Sequence, residues 1–558
     1  MIEEIKTAVN VGEWQRARQL LAQQNDEIKK QPEYWILNAE VYTAEGLYDH
    51  AYMCIAIGIS MDPSNYELYY MLGNYYSGTN VNQAYLCYQQ AMHYCDNRED
   101  GAYIQNEMEQ LVADGHITVK PVSFIVVSHD QKDILQSCIE SIRNNSPQDS
   151  YEIIVQENAK SFVCAVNQGI KSSREDHDIF LLHDAVIVPA NALFWMRMAL
   201  YERESVGAAG PMMNLSGNFQ ALVLNTDSRT DYLEYAKQLH IPSPNPYENK
   251  FWLMSSALLI KREAIDETGL LDECYLEGAY SDTDYGVCMT RKGYEQLLCH
   301  NAFVYCHNII NEQFASFAYQ QNSAINREYF MKKWNFNPDY YSNVSNELIP
   351  YIDADEHTEI HVLEVGCGCG ATLSRIRYQY PNAKIYGIEL VKEVAMCGTY
   401  MADIMVGDIE SMPLPYENGY FDYIIFGDVL EHLRDPEQTL KKLKKYMKQG
   451  AKVIASIPNL MHTSVILPLL KGDFTYRDEG LLDRTHIHFF TKNEIVGMFR
   501  RTGLDILRMD ARMNMVIDDR DEQEMFEAVL GIPGVAGREQ FQAYQYLVLA
   551  ENGEKGIL

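Results

Sequence analysis

The sequence predicts a multidomain chain, an all-α helical repeat array followed by two α/β domains in series. Three observations carry this reading. A repeat of about 34 residues runs through the first hundred or so positions, strands begin to alternate with helices from Lys120, and a second strand-and-helix pattern opens at His361 on a glycine-rich turn. Boundaries placed where the pattern changes give segments 1–118, 119–338 and 339–558.

Composition narrows the function classes. The 558 residues hold 46 Lys and Arg against 78 Asp and Glu, a formal charge of −32. The acidic excess is shared by all three segments, so none is a basic module masked by an acidic tail. Such a surface repels phosphate backbones and anionic lipid, which excludes nucleic acid as a general partner. With 47% hydrophobic and 22% charged residues, the chain reads as globular. Met1-Ile-Glu-Glu-Ile-Lys lacks the basic region and apolar core of a secretory signal. The best apolar run, Phe251–Ile260, falls short of the roughly 18 residues of a membrane span. Twelve scattered cysteines argue against a disulfide scaffold or a zinc site; Cys367 and Cys369 lie between glycines, and the turn accounts for them. A reduced, cytoplasmic protein is expected.

In the first segment Gly12, Trp14, Ala17 and Leu21 recur as Gly46, Tyr48, Ala51 and Ile55, while Trp35, Ala39 and Tyr42 recur as Tyr69, Gly73 and Tyr76. Small residues at fixed points let paired helices approach, and aromatics fill the space between pairs. Asp62-Pro63 closes one unit where a helix stops. Ile104 to Gly115 reads as a last capping helix and linker. The pattern resembles the tetratricopeptide repeat, which implies a concave face that binds a protein or peptide, or helices that only brace the next domain.

In the second segment Val122–Val127 is a continuous apolar, β-branched run of the kind buried in a parallel sheet. It ends at Ser128-His129-Asp130, and an amphipathic helix carrying Ile134, Leu135, Cys138, Ile139 and Ile142 follows. Strands over Tyr151–Val155 and Asp178–Leu182 end at Gln156-Glu157-Asn158 and His183-Asp184-Ala185. Polar residues at the carboxyl ends of successive strands mark where open α/β sheets bind ligands. With Phe162–Lys171, Tyr280-Ser-Asp-Thr-Asp-Tyr-Gly286 and Val304-Tyr-Cys-His307, the segment resembles family 2 glycosyltransferases of the GT-A (nucleotide-diphospho-sugar transferase) fold. That resemblance implies a nucleotide-sugar donor held by Ser128, Asp130, Glu157, Asp184 and Asp284. It implies Asp282 as the base that takes the acceptor's proton, and Asp184 with His307 as ligands of Mg²⁺ or Mn²⁺ neutralising the leaving diphosphate. The reaction would invert the anomeric carbon. Two positions depart from the family: Ala185 stands where an acid follows Asp184, and Ser281 where a Glu precedes Asp282.

The third segment carries the sharpest motif. His361-Val-Leu-Glu-Val-Gly-Cys-Gly-Cys-Gly370 is a strand running into a glycine turn, with a helix expected from Ala371. Lys384–Glu389 is a second strand whose terminal acid lies about 20 residues past the turn, the spacing of a carboxylate that accepts ribose hydroxyls. Val406-Gly-Asp-Ile409 follows at a third strand and Phe421–His432 at a fourth; Phe421-Asp-Tyr reads as a strand end and Lys441–Lys448 as a solvated helix face. A dehydrogenase is the rival for such a fingerprint, and it asks for Gly-x-Gly-x-x-Gly. The turn here reads Gly-x-Gly-x-Gly. With Glu431-His-Leu-Arg-Asp-Pro436, Ile457-Pro-Asn459 and Asp483–Thr491, the segment resembles class I S-adenosylmethionine-dependent methyltransferases of Rossmann-like fold. By that resemblance Glu364, Gly366, Gly368 and Gly370 face the methionine end of S-adenosyl-L-methionine, Glu389 its ribose, and Asp408 and Ile409 its adenine. A sugar hydroxyl is a poor nucleophile that a base assists; His432, His486 and His488 are the candidates.

Taken together, these readings predict a bifunctional enzyme that adds a sugar to an acceptor and O-methylates the glycan. The acceptor is a protein such as flagellin, docked by the repeats, or a surface glycan. A second reading keeps only the methyltransferase active, with the repeats and a degenerate transferase fold as a binding scaffold.

Overall fold

The structure is a computed structural model and describes residues 2–553 apart from 129–130, 149, 158–159, 216–217, 227, 309–315, 515–516 and 518. It divides into two compact units, Met1–Asn335 and Phe336–Leu558. The break between the units falls at 335/336, and the second expected boundary at 338/339. The first, at 118/119, does not separate compact bodies.

The N-terminal unit opens with helices over Ile2–Asn10, Trp14–Ala22, Asp26–Lys29, Pro32–Ala44, Tyr48–Met61, Tyr66–Ser77, Val81–Tyr94 and Arg98–Ala113. The residues that recur in the sequence explain how they turn and pack. Gly12 and Gly46 sit between helices at φ +75° and +74°, a region that glycine enters without strain. Gly73 lies so close to the Tyr88 ring that a Cβ there would overlap it. The last helix starts at Arg98, earlier than Ile104, because the Asn97 side chain caps it, accepting from the amide of Glu99 at 2.9 Å.

Eight strands follow in the same unit: β1 Val122–Val127, β2 Tyr151–Gln156, β3 Asp178–His183, β4 Val186–Ile187, β5 Val206–Met213, β6 Tyr247–Lys250, β7 Ala257–Ile260 and β8 Glu295–Cys306. The sheet order is β2-β1-β3-β7-β5-β8-β4, with β6 also on β8. Strands β2, β1 and β3 are parallel, and β7 runs antiparallel to β3. The chain steps from β1 outward to β2 and returns to the other side at β3. A crevice at the carboxyl ends of β1 and β3 is what this reversal produces.

The helices share a core with this sheet, which is why residue 118 ends no compact body. One hydrophobic cluster contains Tyr69, Leu86, Cys87 and Tyr88 together with Phe194, Trp195, Met198 and Val206. Polar groups lock the same seam. Gln83 Nε2 donates to the Met198 carbonyl at 2.9 Å, and Asn191 Oδ1 accepts from Gln90 and Tyr94 at 2.8 and 2.7 Å. Arg197, 3% exposed, donates to the carbonyl of Lys120 and to Gln89 Oε1.

The C-terminal unit has seven strands: β9 His361–Val365, β10 Lys384–Glu389, β11 Asp403–Val406, β12 Phe421–Gly427, β13 Met447–Pro458, β14 Asp505–Met513 and β15 Ala543–Glu551. Their order is β11-β10-β9-β12-β13-β15-β14. The first five are parallel, while β15 is antiparallel to both β13 and β14. Alternate residues feed two apolar layers, Leu363, Ile424, Phe426 and Val453 on one face and Val362, Ile425 and Ile454 on the other. A sheet covered on both faces needs this continuous apolar run. The direction of winding reverses between β9 and β12, which puts the crevice at their carboxyl ends.

The lysine run differs from its expected solvated helix face. The helix Pro436–Lys444 stops halfway through it, Lys442 Nζ donates to the carbonyls of Ile409 and Met412 at 2.6 and 2.5 Å, and Lys448 pairs with Asp422 at 2.7 Å. These amines tie loops together.

The shared core makes a specific prediction. A chain beginning at residue 119 exposes the apolar surface around Phe194, Trp195 and Met198, and unburied surface of that size drives association. Size-exclusion chromatography and binding of a hydrophobic dye are expected to show a self-associating, dye-binding species; a monodisperse, dye-silent fragment would mean that the helices are dispensable to the fold.

Candidate functional sites

In the C-terminal unit the turn after β9 is built by backbone that only glycine tolerates. Gly366, Gly368 and Gly370 have φ of +69°, +55° and +76°. A Cβ on Gly366 would stand 2.5 Å from Val429 Cγ2, and one on Gly368 2.5 Å from the carbonyl oxygen of Tyr341. Glu389, at the end of β10, fastens this turn: Oε2 accepts from the Gly368 amide at 3.0 Å and Oε1 from the Val391 amide at 2.9 Å. Burial pushes its carboxyl above the ordinary range, and those amides oppose the shift. Asp408 and Ile409 follow β11; Asp408 Oδ1 accepts from the Glu410 amide at 2.8 Å, and Ile409 is buried.

Glu364 lies on β9 beneath the turn, 4% exposed. Its Oε2 has no hydrogen-bond partner among the described residues. Burial raises its carboxyl to about 8, the Thr372 hydroxyl lowers it, and the nearby Glu389 charge raises it again. A short glycine turn, an acid at the end of the neighbouring strand and a buried acid with an unbonded oxygen fit a ligand that carries hydroxyls and positive charge.

The turn after β12 adds groups that motif reading did not single out. Asp428 holds a left-handed backbone at φ +53°, strained for a residue with a Cβ, and its Oδ1 accepts from the Ser456 hydroxyl. Glu431 is 1% exposed, and neither carboxylate oxygen has a hydrogen-bond partner from another residue among the described residues. Burial above all, then the Asp428 and Asp483 charges, holds its carboxyl well above the usual range. The structure brings His432 and His486 together, ring centroids 4.8 Å apart, with His486 Nε2 3.9 Å from Glu431 Oε1. His488 Nε2 instead meets the Arg434 carbonyl at 3.1 Å. The signal for this grouping was Glu431-His432 in the sequence, but its burial depends on the segment around His486.

In the N-terminal unit the expected residues lie on several elements, and Asp184 and His307 are the two whose backbones meet beyond the end of β3. Ser128 follows β1, its amide donating to the Gln156 carbonyl at 3.0 Å, and Glu157 follows β2 with its side chain exposed. Asp130 lies outside the described residues. The Asp184 amide donates to the Val127 carbonyl, and the His307 amide to the Ala185 carbonyl, both at 3.0 Å, so the backbones of Asp184 and His307 run side by side. Burial lowers the His307 imidazole below its ordinary range. Asp282 stands in the first turn of the helix Ser281–Arg291. Its Oδ1 has no hydrogen-bond partner among the described residues, and burial raises its carboxyl to about 6 against hydrogen bonds from Ser255 and Ser281. Just before it, Glu277 and Tyr280 hold left-handed backbone at φ +51° and +64°.

Asp284 differs from its expected role in holding the donor. It is 2% exposed, and its oxygens accept from Tyr275 at 3.0 Å, Trp334 Nε1 at 2.7 Å and Lys333 Nζ at 3.0 Å. A carboxylate so occupied braces the helix Phe317–Trp334 against Ser281–Arg291. Among the described residues, the acids and histidines that come close enough in threes to hold a metal are Glu431, His432 and His486.

Known proteins resemble the C-terminal part of the chain. Residues 334–508 match the methyltransferase-domain family, so this part of the chain is a methyltransferase domain. The chain is 26% identical over 162 residues to demethylmenaquinone methyltransferase of Bacillus mycoides, a match that covers 25% of this chain and 68% of that protein. It is 28% identical over 103 residues to norajmaline N-methyltransferase of Rauvolfia serpentina, covering 17% and 34%. Among solved structures, a SAM-dependent methyltransferase from Archaeoglobus fulgidus matches with a TM-score of 0.29 at 15% identity, over 40% of this chain and 97% of that one.

Glu364 yields a pH prediction. The unfolded chain ionises this group near 4.5 whereas the folded unit keeps the proton to about 8, so folding loses stability as pH rises between these values and changes no further above them. E364Q is expected to raise the unfolding temperature of the ligand-free C-terminal unit, with a gain that grows from pH 4.5 to pH 8. Calorimetric scans across that range check it; a gain independent of pH refutes the buried-acid assignment.

Proposed function

We propose that the C-terminal unit binds S-adenosyl-L-methionine in the crevice above β9 and β10 and transfers its methyl group to an oxygen of a glycan. The observation that carries this is the glycine turn fastened by Glu389, with Glu364 buried beneath it. When bound, the cofactor supplies a methyl group on a positively charged sulfur. The turn's backbone admits the amino-acid end closely, since Gly366 and Gly368 leave no Cβ in the way. Glu389 keeps a carboxylate at the strand end for the ribose hydroxyls, and Asp408 with Ile409 flanks the base. Displacement at a methyl group asks the protein chiefly to align the acceptor, and His432 or His486 takes the acceptor's proton.

The N-terminal unit, by the same proposal, transfers a sugar from a nucleotide-sugar to the glycan's carrier, a protein such as flagellin docked by the helices or a surface glycan. Support comes from Asp282, whose carboxyl, raised to about 6 with one unbonded oxygen, suits a general base. Asp184 and His307, on adjacent backbone, would hold Mg²⁺ or Mn²⁺ at the diphosphate; one carboxylate and one imidazole make a weak set for either ion. A cytoplasmic location accords with both donors. The scaffold reading, with only the methyltransferase active, is favoured by Asp284, whose carboxylate is committed to Lys333 and Trp334.

Calorimetry with S-adenosyl-L-methionine is expected to give one site in the wild type and at least about tenfold weaker binding in E389A, the loss of a charge-assisted contact of roughly 1.5–3 kcal/mol; equal affinities refute the cofactor site. Hydrolysis or transfer of UDP-, GDP- or dTDP-sugars with Mg²⁺ or Mn²⁺, abolished by D282A, tests the second activity. Silence of the wild type with every donor leaves the scaffold reading standing.

A further inference from the structure

We propose that Glu431, His432 and His486 form a binding site for one first-row divalent transition-metal ion in the C-terminal unit. One ligand atom from each residue lies within 4.8 Å of the others. Bonds of about 2.0–2.2 Å at the tetrahedral angle hold a metal's ligand atoms roughly 3.3–3.6 Å apart, so side-chain rotations of about an ångström close the set.

Two features distinguish this cluster from buried side chains that happen to meet. First, Glu431 is 1% exposed and neither carboxylate oxygen meets a hydrogen-bond partner from another residue among the described residues, its own amide being the one donor that lowers its carboxyl. A buried carboxyl left unbonded is costly, and burial is tolerated where a cation or a donor completes it. His486 Nε2 at 3.9 Å is too far to be that donor. Asp428 and Asp483 add negative charge around Glu431, which deepens the demand for a cation.

Second, each imidazole is anchored through its other nitrogen. His432 Nδ1 faces the Thr485 carbonyl at 3.2 Å and the Thr485 hydroxyl, whose own hydrogen goes to Asp483 Oδ1, also at 3.2 Å, and His486 Nδ1 faces the Leu481 carbonyl at 3.3 Å. A carbonyl can only accept, so each Nδ1 carries the hydrogen and each Nε2 keeps its lone pair. Metal-binding histidines are held in this way, one nitrogen on a backbone carbonyl and the other on the ion. The Glu431 main chain is fixed as well, its carbonyl accepting from the Ile487 and His488 amides at 2.9 and 3.0 Å, which sets the 430–432 turn against the strand of residues that carries His486.

Two imidazoles and one carboxylate suit Zn²⁺, Co²⁺, Fe²⁺ or Mn²⁺ better than Mg²⁺ or Ca²⁺, which prefer oxygen throughout. Three protein ligands leave coordination positions for small oxygen ligands such as water or a hydroxyl. The site shares His432 and His486 with the proposed methyl transfer, where an ion would stand in place of a free base; its test is read without S-adenosyl-L-methionine, so its failure is distinguishable from failure of that reading.

The test uses the full chain, stripped of metal with a chelator and titrated with Co²⁺ and Zn²⁺ in the absence of cofactor. Visible absorption is expected to report one equivalent of Co²⁺, displaced by Zn²⁺ and not by equimolar Mg²⁺. E431Q, H432Q and H486Q are each expected to weaken binding at least about tenfold. Metal-free E431Q is expected to unfold at or above the wild-type temperature, because it removes a buried acid, so its weakened binding does not reflect unfolding. Absence of saturable Co²⁺ binding in the wild type overturns the site, as does binding unchanged in E431Q or in H432Q, whose side chain is half-buried and tolerant of exchange.

Discussion

The Glu389 carboxylate ties the end of β10 to the turn after β9, and the C-terminal crevice takes its shape from that tie. Its two oxygens accept from amides at 3.0 and 2.9 Å, charge-assisted bonds that net more than neutral ones. The turn it grips is drawn tight elsewhere too, through the Gly366 amide on the Ile388 carbonyl at 2.8 Å and the Cys369 amide on the Tyr341 carbonyl at 2.9 Å. Without these bonds three left-handed glycines at alternate positions would cost backbone entropy for no return. With them, the turn leaves open backbone above β9 and seats Glu364 beneath it. Cys367 and Cys369 belong to the same packing: a Cβ on Gly387 would strike Cys367 Sγ at 2.5 Å and one on Gly398 the Cys369 carbonyl at 2.7 Å.

Buried acids with an unbonded oxygen recur in both units. Glu364 and Glu431 in one and Asp282 in the other each leave carboxylate capacity unused, although folding ordinarily pairs such groups. Glu364 lies near the end of β9 and Glu431 beyond β12, where the C-terminal sheet reverses direction, and Asp282 stands at the start of a helix. Left-handed non-glycine backbone lies close by, Asp428 near Glu431 and Tyr280 near Asp282. Unsatisfied acid and strained backbone in one place are how a fold stores stability cost where a ligand later offsets it.

The parts legible in the sequence are those set by local pattern. The strands at 122–127, 384–389 and 421–427 follow from continuous apolar runs, and the glycine turn from residues only a few positions apart. What escaped depends on long-range contact. The helical segment reads as separate because its period is self-contained, yet Gln83, Gln90 and Tyr94 bind groups about a hundred positions onward. Asp284 reads as a ligand-holding acid because Lys333 and Trp334, which occupy it, lie 49 and 50 positions away. Glu431 reads as one letter of a motif because the segment that buries it against His486 comes more than fifty residues later.

The sign of the charge around the glycine turn separates two ligands that such a turn accepts. A dinucleotide lays a doubly negative pyrophosphate on the helix N-terminus after the turn and favours neutral or positive company. Here the groups that meet the turn are carboxyls, Glu389 fastening it and Glu364 beneath it. Burial has raised both above their ordinary range, so a second anion would drive them further up and be repelled in proportion. A cation does the reverse, since it lowers both and gains from each. A sulfonium carrying an amino group fits that field, and a pyrophosphate does not. The same argument extends to the Asp428, Glu431 and Asp483 side of the unit, where acidic groups converge beside the imidazoles of His432 and His486 and a divalent ion is the ligand that answers both.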